Sequence, residues 1–466
     1  MSPPAVSARA RRTDERRFRP RDVRSIELAE PLIGVGDRAA LALVRLHTWP
    51  LGLVELDPGE GREQVLGRIW AQLRDSIAAH LDSDGLDVPT AGADLDGLSA
   101  VATRRASLPR CLAERRAFLA TAPRVSVVVP VADRPDLLET CLGDLLALEY
   151  PAAEILVVDN APDASGARVI VEAALRRPVR PSIRYLVEPR PGSSVARNRG
   201  LNASTTDITA FVDADVRIDE HWLTELVRPL ATDPETAAST GLILPLSLET
   251  EAQAWMMEWG GYDKGFTPRT FDLVDHRDAG PLYPYQPGLF GSGQSMAFRT
   301  SMLRGLGGFD RALGVRTVSQ GGEDLAVLLD AVLAGHRLAY APGAIVWHPD
   351  PSTGEGFLRK IESYAVGLTA LVARTAMTHP GSGAEIARRV PAAVGYFLRP
   401  GSGRNRRRSA RFPTLPVLAR ELGGMAWGPF AYGLSRLELR RARRREGRGL
   451  ERGAGRDARG ATGANG

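Results

Sequence analysis

The sequence predicts an α/β protein: a mostly parallel sheet flanked by helices, preceded by a small α+β unit and followed by a helical extension. Three observations carry this. RVSVVVPV, starting at Arg124, is a continuous apolar, β-branched run, the pattern of a strand buried on both faces. RPDLLETCLGDLLAL then sets Leu138, Leu142 and Leu145 at helical spacing before a second buried run, EILVVDN, and strand, helix and strand make a right-handed βαβ unit. SIRYLVE and ITAFVDADV supply two more strands. Asp133, Asp159, Asp213 and Asp215 then all fall at carboxyl ends of strands, where open α/β sheets bind ligands.

Taken in order, residues 1–24 hold eight Arg against three acids and read as a disordered basic lead. ALALVRLH from Ala40 and LGLVEL after TWP read as two short strands of a hairpin. GREQVLGRIWAQLRDSIAAHL places Val65, Ile69, Leu73, Ile77 and Leu81 four apart, an amphipathic helix, so residues 25–118 form a small α+β unit. His47, Trp49 and Trp70 in that unit read as packing residues rather than ligands. Residues 124–350 form the main domain. Within it SMAFRTSMLRGLGGFD gives a strand and short helix, and GGEDLAVLLDAVLAGHRLAYAPGAIVWH a helix from Asp324 to Ala334, a Gly335 cap and a final pair of strands. Residues 351–440 read as a helical extension and residues 441–466 as a disordered basic tail. In the extension, Trp427, Phe430 and Tyr432 stand beside a basic segment, which suits either packing on the body or rest on an anionic membrane surface.

At 466 residues the chain exceeds one compact core, and 44% hydrophobic with 25% charged residues is a globular composition. No apolar run is long enough to cross a bilayer and the Arg-rich start lacks a signal-peptide core, so a cytoplasmic protein is expected, with peripheral contact at the inner membrane face allowed. Cys111 and Cys141 are the only cysteines, which argues against a disulfide framework and against a cysteine metal site. Residues 399–459 carry seventeen Arg and five acids, so the net charge of +5 hides basic ends around an acidic middle. The Arg404 to Arg411 stretch has no interleaved aromatics, and no nucleic-acid partner is expected.

FVDADV poses the chemical question. On an extended chain Asp213 and Asp215 project together from the end of a buried strand, and two carboxylates so placed repel unless a cation lies between them. They are either metal ligands or solvated acids in a turn.

The succession RVSVVVPVADRPD, ILVVDNAPD, GSSVARNRG, FVDADV, LGGFD, GGEDLAVLLDAVLAGHRLAYAP and VWH resembles the family 2 glycosyltransferases of the GT-A fold, over residues 124–350. The resemblance implies a nucleotide-sugar-dependent enzyme, hexosyltransferase-like, that moves a sugar from a nucleoside-diphosphate donor to an acceptor hydroxyl, lipid-linked or on a glycan. Single displacement with inversion and a divalent metal, Mn2+ or Mg2+, are implied with it, as is a setting in cell-wall or polysaccharide biosynthesis. By the same resemblance Asp215 is a direct metal ligand, Asp213 contacts metal or ribose, and His348 is a further ligand. Asp159 would accept from the base edge, Pro130, Val131 and Asp133 would form the loop around the base, and Arg197 would set a cation near the nucleotide. Asp324 would be the general base, with Glu323 positioning the acceptor.

Local readings compete with several of these roles. Asp159 with Asn160 suits a turn cap, Ser193 or Ser194 a helix cap, and Glu323 with Asp324 an acidic helix start. Gln294 and Ser295 stand where relatives often carry Asn before the Met of GSGQSMAF, and Met296 replaces the last Gly that a dinucleotide loop needs. The QxxRW signature of processive synthases is absent, so transfer of a single sugar or short chain is expected. The alternative is a catalytically degenerate binding module or scaffold using its Arg-rich ends.

Overall fold

The buried runs of the sequence form the centre of a nine-stranded sheet. The computed structural model describes residues 18–461 apart from residues 33, 96–107, 177–180, 261–263, 400, 403 and 407. The first unit has three strands, β1 (Asp22–Glu27), β2 (Ala40–Leu46) and β3 (Trp49–Leu56), in the order β1-β2-β3. β2 and β3 pair antiparallel as the expected hairpin, while β1 runs parallel to β2. The two-residue turn places His47 and Thr48 at φ 54° and 67°, the doubly left-handed geometry whose twist suits a tight hairpin. Glu27 holds that turn by accepting from the His47 and Thr48 amides at 2.9 and 2.8 Å. Helix α1 (Arg62–Ser83) buries Val65, Ile69, Ile77 and Leu81 of the expected stripe, with Leu73 half-buried. Helix α2 (Arg110–Ala120) leads into the main domain.

Two boundaries need correction. Strand β1 starts at Asp22, so the basic lead ends before residue 24; residues 1–17 lie outside the described residues. The chain beyond 440 is helical rather than a disordered tail as far as Ala461, as a continuation of the helix that begins at Thr414; residues 462–466 lie outside the description.

The main sheet comprises β4 (Val125–Val131), β5 (Ala153–Asp159), β6 (Ser182–Val187), β7 (Ile208–Val212), β8 (Arg217–Ile218), β9 (Thr236–Pro245), β10 (Arg269–Phe271), β11 (Ser295–Arg299) and β12 (Arg337–His348). Its order is β10-β12-β9-β11-β7-β4-β5-β6, with β8 on β12. β4 pairs parallel with β5 and β7, β5 with β6, and β9 with β12, while β11 enters antiparallel between β7 and β9. This is the α/β class expected, with a mostly parallel sheet. Alternation persists within the fully buried β4: Val127 and Val129 join one core with Leu138, Leu142 and Trp222, and Val128 joins the other with Leu156, Phe211 and Phe298. The expected final pair of strands is one strand, β12, because the sheet absorbs Pro342 and Gly343 in a register shift between Ala341 and Ile345.

Helices α3 (Pro135–Leu146), α4 (Ala167–Leu175), α5 (Ser193–Ala203), α6 (Trp222–Thr232), α7 (Glu251–Trp259), α8 (Thr300–Gly305) and α9 (Glu323–Leu333) accompany the sheet. The extension supplies α10 (Gly354–Thr378), α11 (Ser382–Leu398) and α12 (Thr414–Ala461). α10 packs on the domain through Ala370 and Leu371 and takes α12 along its length. Tyr432 of α12 is buried and donates to Asp310 Oδ2 at 3.0 Å, so it leaves the expected aromatic surface, where Trp427 and Phe430 remain exposed. Among the described residues no helix is long and apolar enough to cross a membrane.

Candidate active site

The site forms beyond the carboxyl ends of β4, β5 and β7. β7 stops at Val212, so Asp213 and Asp215 lie in the following turn rather than on the extended strand. The side chain of Asp213 is 30% exposed and accepts from Arg197 Nη2 at 2.8 Å. Loss of hydration pushes its carboxyl up to about 6; Arg197 opposes this, and Asp215 adds to it. His348, buried at the end of β12, has Nδ1 3.6 Å from Asp350 Oδ1, and Asp213 feels it as well. The ligand atoms of Asp213, Asp215 and His348 do not close into one tight group: among the described residues the cluster of at least three His, Cys, Asp or Glu within 4.8 Å lies elsewhere.

Arg197 projects from α5 and is buried. Its Nη1 donates to Glu323 Oε1 at 2.6 Å while Nη2 serves Asp213. Burial alone would lower its pKa, but the nearby Asp213, Glu323 and Asp324 raise it above the ordinary value. The guanidinium therefore ties the turn after β7 to the start of α9. Glu323 is buried and takes a second donor, Ser193 Oγ, at 2.5 Å. Ser194 Oγ donates to the Leu313 carbonyl. Neither serine caps α5, whose N-cap is Gly192 at φ 133°; both hydroxyls instead fasten the helix to the loop before α9.

Asp324 stands half-buried in the first turn of α9. Its Oδ2 accepts the Gly293 amide at 2.6 Å. Sequence reading missed Gly293, although its neighbourhood was visible in GSGQSM. A Cβ there would lie 2.7 Å from Asp324 Cβ and 3.1 Å from Arg197 Nη2, so only glycine lets the backbone reach the carboxylate. Gln294 and Ser295 are buried, and Ser295 Oγ accepts from Trp222 Nε1 at 2.9 Å, so the serine has a packing role.

Asp159 is wholly buried, and its oxygens accept from the Ala161 amide at 3.0 Å, Ser165 Oγ at 2.7 Å and Tyr185 Oη at 2.6 Å. These three donors hold the Asp159 carboxylate in the turn that follows β5. Asn160 donates to the carbonyls of Glu188 and Arg190 and accepts from Gly192, so the VVDN segment fixes the approach to α5 and with it Arg197. Val131, paired in register with Asp159, is buried, Pro130 is half-buried, and Asp133 is exposed in the loop after β4.

Comparison with known proteins follows the same segment. The family described as "Glycosyltransferase like family 2" matches residues 123–362, just over half the chain. A pre-mycofactocin glycosyltransferase of Mycobacterium tuberculosis is 30% identical over 225 residues, 48% of this chain and 42% of that protein. The succinoglycan biosynthesis protein ExoM of Rhizobium meliloti is 31% identical over 223 residues, 47% of this chain and 64% of that protein. The chain thus spans less than two thirds of either relative. Among solved structures, a mannosyltransferase of Pyrobaculum calidifontis in complex with GDP-Man and Mn2+ aligns over 66% of this chain and 87% of its own, at 19% identity and a TM-score of 0.43. On the match over residues 123–362, the chain belongs to the glycosyltransferase-like family 2.

Proposed function

We propose that the protein transfers a sugar from a nucleoside-diphosphate donor to an acceptor hydroxyl, lipid-linked or on a glycan, by a single inverting displacement. One observation carries this reading: in a family 2 chain, Arg197 joins Asp213 of the β7 turn to Glu323 at the acidic start of α9, beyond the carboxyl ends of the strands. Asp324 acts as general base, taking the acceptor hydroxyl proton as that oxygen attacks the anomeric carbon and the bond to the diphosphate breaks. The Gly293 amide holds the carboxylate for that task. Glu323 and Arg197 work as positioning residues that set the distance between the base and the donor side. The loop of Pro130, Val131 and Asp133 receives the nucleoside.

The donor types suit a divalent cation, although their ligand atoms are not drawn together in this structure. Asp213 and Asp215 offer hard oxygens, and the upward push of Asp215 on the Asp213 carboxyl is a repulsion that positive charge relieves. Asp215, Asp213 and His348 would hold the ion, Mn2+ or Mg2+, which would supply charge neutralisation for the departing diphosphate. Trp427 and Phe430, exposed on the Arg-rich α12, would allow peripheral contact with an anionic membrane that carries a lipid-linked acceptor.

Titration calorimetry with UDP, GDP and dTDP, with and without Mn2+, on the wild type and Asp215→Ala tests this. Metal-dependent binding of one nucleotide, lost in the variant, is the expected result. Absence of binding to all three under both conditions would move the protein to the binding-module reading.

A further inference from the structure

A second constellation lies in the first unit, apart from the candidate active site. His47 in the β2–β3 turn, His80 and Asp84 at the end of α1, and Cys111 at the start of α2 direct one ligand atom each to a common point, all within 4.8 Å of one another. His47 Nδ1 is 2.9 Å from Asp84 Oδ2 and 3.2 Å from His80 Nε2. His80 Nε2 is 3.4 Å from Asp84 Oδ2. Cys111 Sγ is 2.9 Å from the same oxygen and 3.9 Å from His80 Nε2. The expectation that His47 is a packing residue, and that no cysteine joins a metal site, does not anticipate this grouping, because only His80 and Asp84 are near each other in sequence and His47 and Cys111 lie some thirty residues to either side.

We propose that these four side chains form a structural transition-metal site for Zn2+, with two histidines, one cysteine and one aspartate as ligands. Four ligands of mixed N, S and O character with no place kept for substrate match a closed tetrahedral zinc site. Bond lengths of about 2.0–2.3 Å to a tetrahedral zinc put ligand atoms about 3.3–3.6 Å apart, and the measured separations bracket that range. The side chains of His47, His80 and Asp84 are all under 10% exposed, as a closed site requires. Binding displaces the thiol proton of Cys111 to solvent and forms the sulfur–metal bond in its place.

The position gives the site a purpose. His47 sits at φ 54° in the turn it shares with Thr48, a conformation unfavourable for side chains with a Cβ, and a bond to metal would secure it. Asp84 already fixes the start of α2 by accepting the Cys111 amide at 2.7 Å through Oδ1, which leaves Oδ2 facing the cluster. A metal there would join the hairpin, α1 and α2, and α2 carries Arg115, the contact to Glu225 of the main domain. This site is independent of the chemistry proposed for the active site.

The test uses full-length protein purified without chelator. Elemental analysis after dialysis should find one zinc per chain in the wild type and in Asp215→Ala. Replacement with Co2+ should give tetrahedral visible bands and a near-ultraviolet thiolate-to-cobalt band. Cys111→Ser should abolish the thiolate band, while Cys141→Ser, which alters the buried cysteine under Asp213, should keep it. Substoichiometric zinc with no thiolate band in folded wild type would overturn the proposal. So would a band lost in Cys141→Ser and kept in Cys111→Ser.

Discussion

Gly293 donates its backbone N–H to Oδ2 of Asp324 at 2.6 Å from a position with no room for a methyl group. The contact couples the loop before β11 to the first turn of α9, two segments joined only by the fold. If Asp324 is the base, the amide sets where its carboxylate points. Asp324→Asn should then lower kcat by about 10²- to 10⁴-fold, the usual contribution of a general base, with nucleotide affinity preserved. Gly293→Ala should lower kcat by about 10²-fold through misplacement of the carboxylate alone. Turnover assays run beside nucleotide titrations separate the two effects. Equal losses of affinity and turnover would deny Asp324 a role confined to the reaction.

Arg197 predicts a stability effect as well. It is buried with Glu323, whose side chain is 5% exposed, and each is the other's charge partner. Arg197→Met removes the cation and leaves Glu323 buried with only Ser193 as an observed side-chain donor. Loss of one member of such a pair costs about 3–5 kcal/mol, whereas Arg197→Met with Glu323→Gln should recover part of it. Urea unfolding of the two single variants and the double variant measures the coupling. Strictly additive losses would show that the two residues act separately.

Much of this was legible in the sequence. The runs at 125–131 and 153–159 are apolar on both faces, and only a sheet covered on both sides accommodates them, so the central strands could be read directly. The acids at 213, 215, 323 and 324 stand out in the sequence because strand ends and helix starts are local features. The side-chain partners of Asp159 and Ser193 were not legible, since Tyr185 and Glu323 are distant from them in sequence. Strand β12 was split in reading because Pro and Gly mark breaks locally, while a bulge needs the neighbouring β9 to absorb them. The His47 cluster was invisible for the same reason: its four ligands come from a turn and two helices.

The first unit is anchored to the main domain by Arg115, whose Nε donates to Glu225 Oε1 at 3.0 Å with side chains 8% and 3% exposed. Its Nη1 also donates to Thr48 Oγ1 at 2.5 Å, so one guanidinium spans the hairpin turn and α6. Glu225 keeps Arg228 as a second partner, at 2.7 Å, which softens the loss on its side. Arg115→Ala should therefore destabilise the first unit by about 3 kcal/mol, the lower end for a broken buried pair. Calorimetry should resolve an earlier transition for residues 25–118, and limited proteolysis should cut there first. A single transition shifted as a whole would show that the two units unfold together.

Asp272, 7% exposed in the segment after β10, accepts at Oδ1 from the amides of Val274 at 2.8 Å and His276 at 2.9 Å, and at Oδ2 from His276 Nδ1 at 2.6 Å. Arg337 Nε lies 3.6 Å from Oδ2. Burial by itself would raise this carboxyl, but the His276 hydrogen bonds and the Val274 amide outweigh it and hold the group well below its ordinary 3.8. With the folded value depressed, the unfolded chain takes up the proton first as pH falls. The stabilisation is whole above the ordinary carboxylate range and is lost progressively as pH drops through it toward the folded value. Asp272→Asn should cost about 1–3 kcal/mol at neutral pH, because donors that faced a carboxylate lose part of their partner. In urea melts at about pH 5 and 3, the gap between wild type and variant should narrow at the lower pH. A gap that is the same at both would show that the Asp272 charge contributes nothing to the folded state.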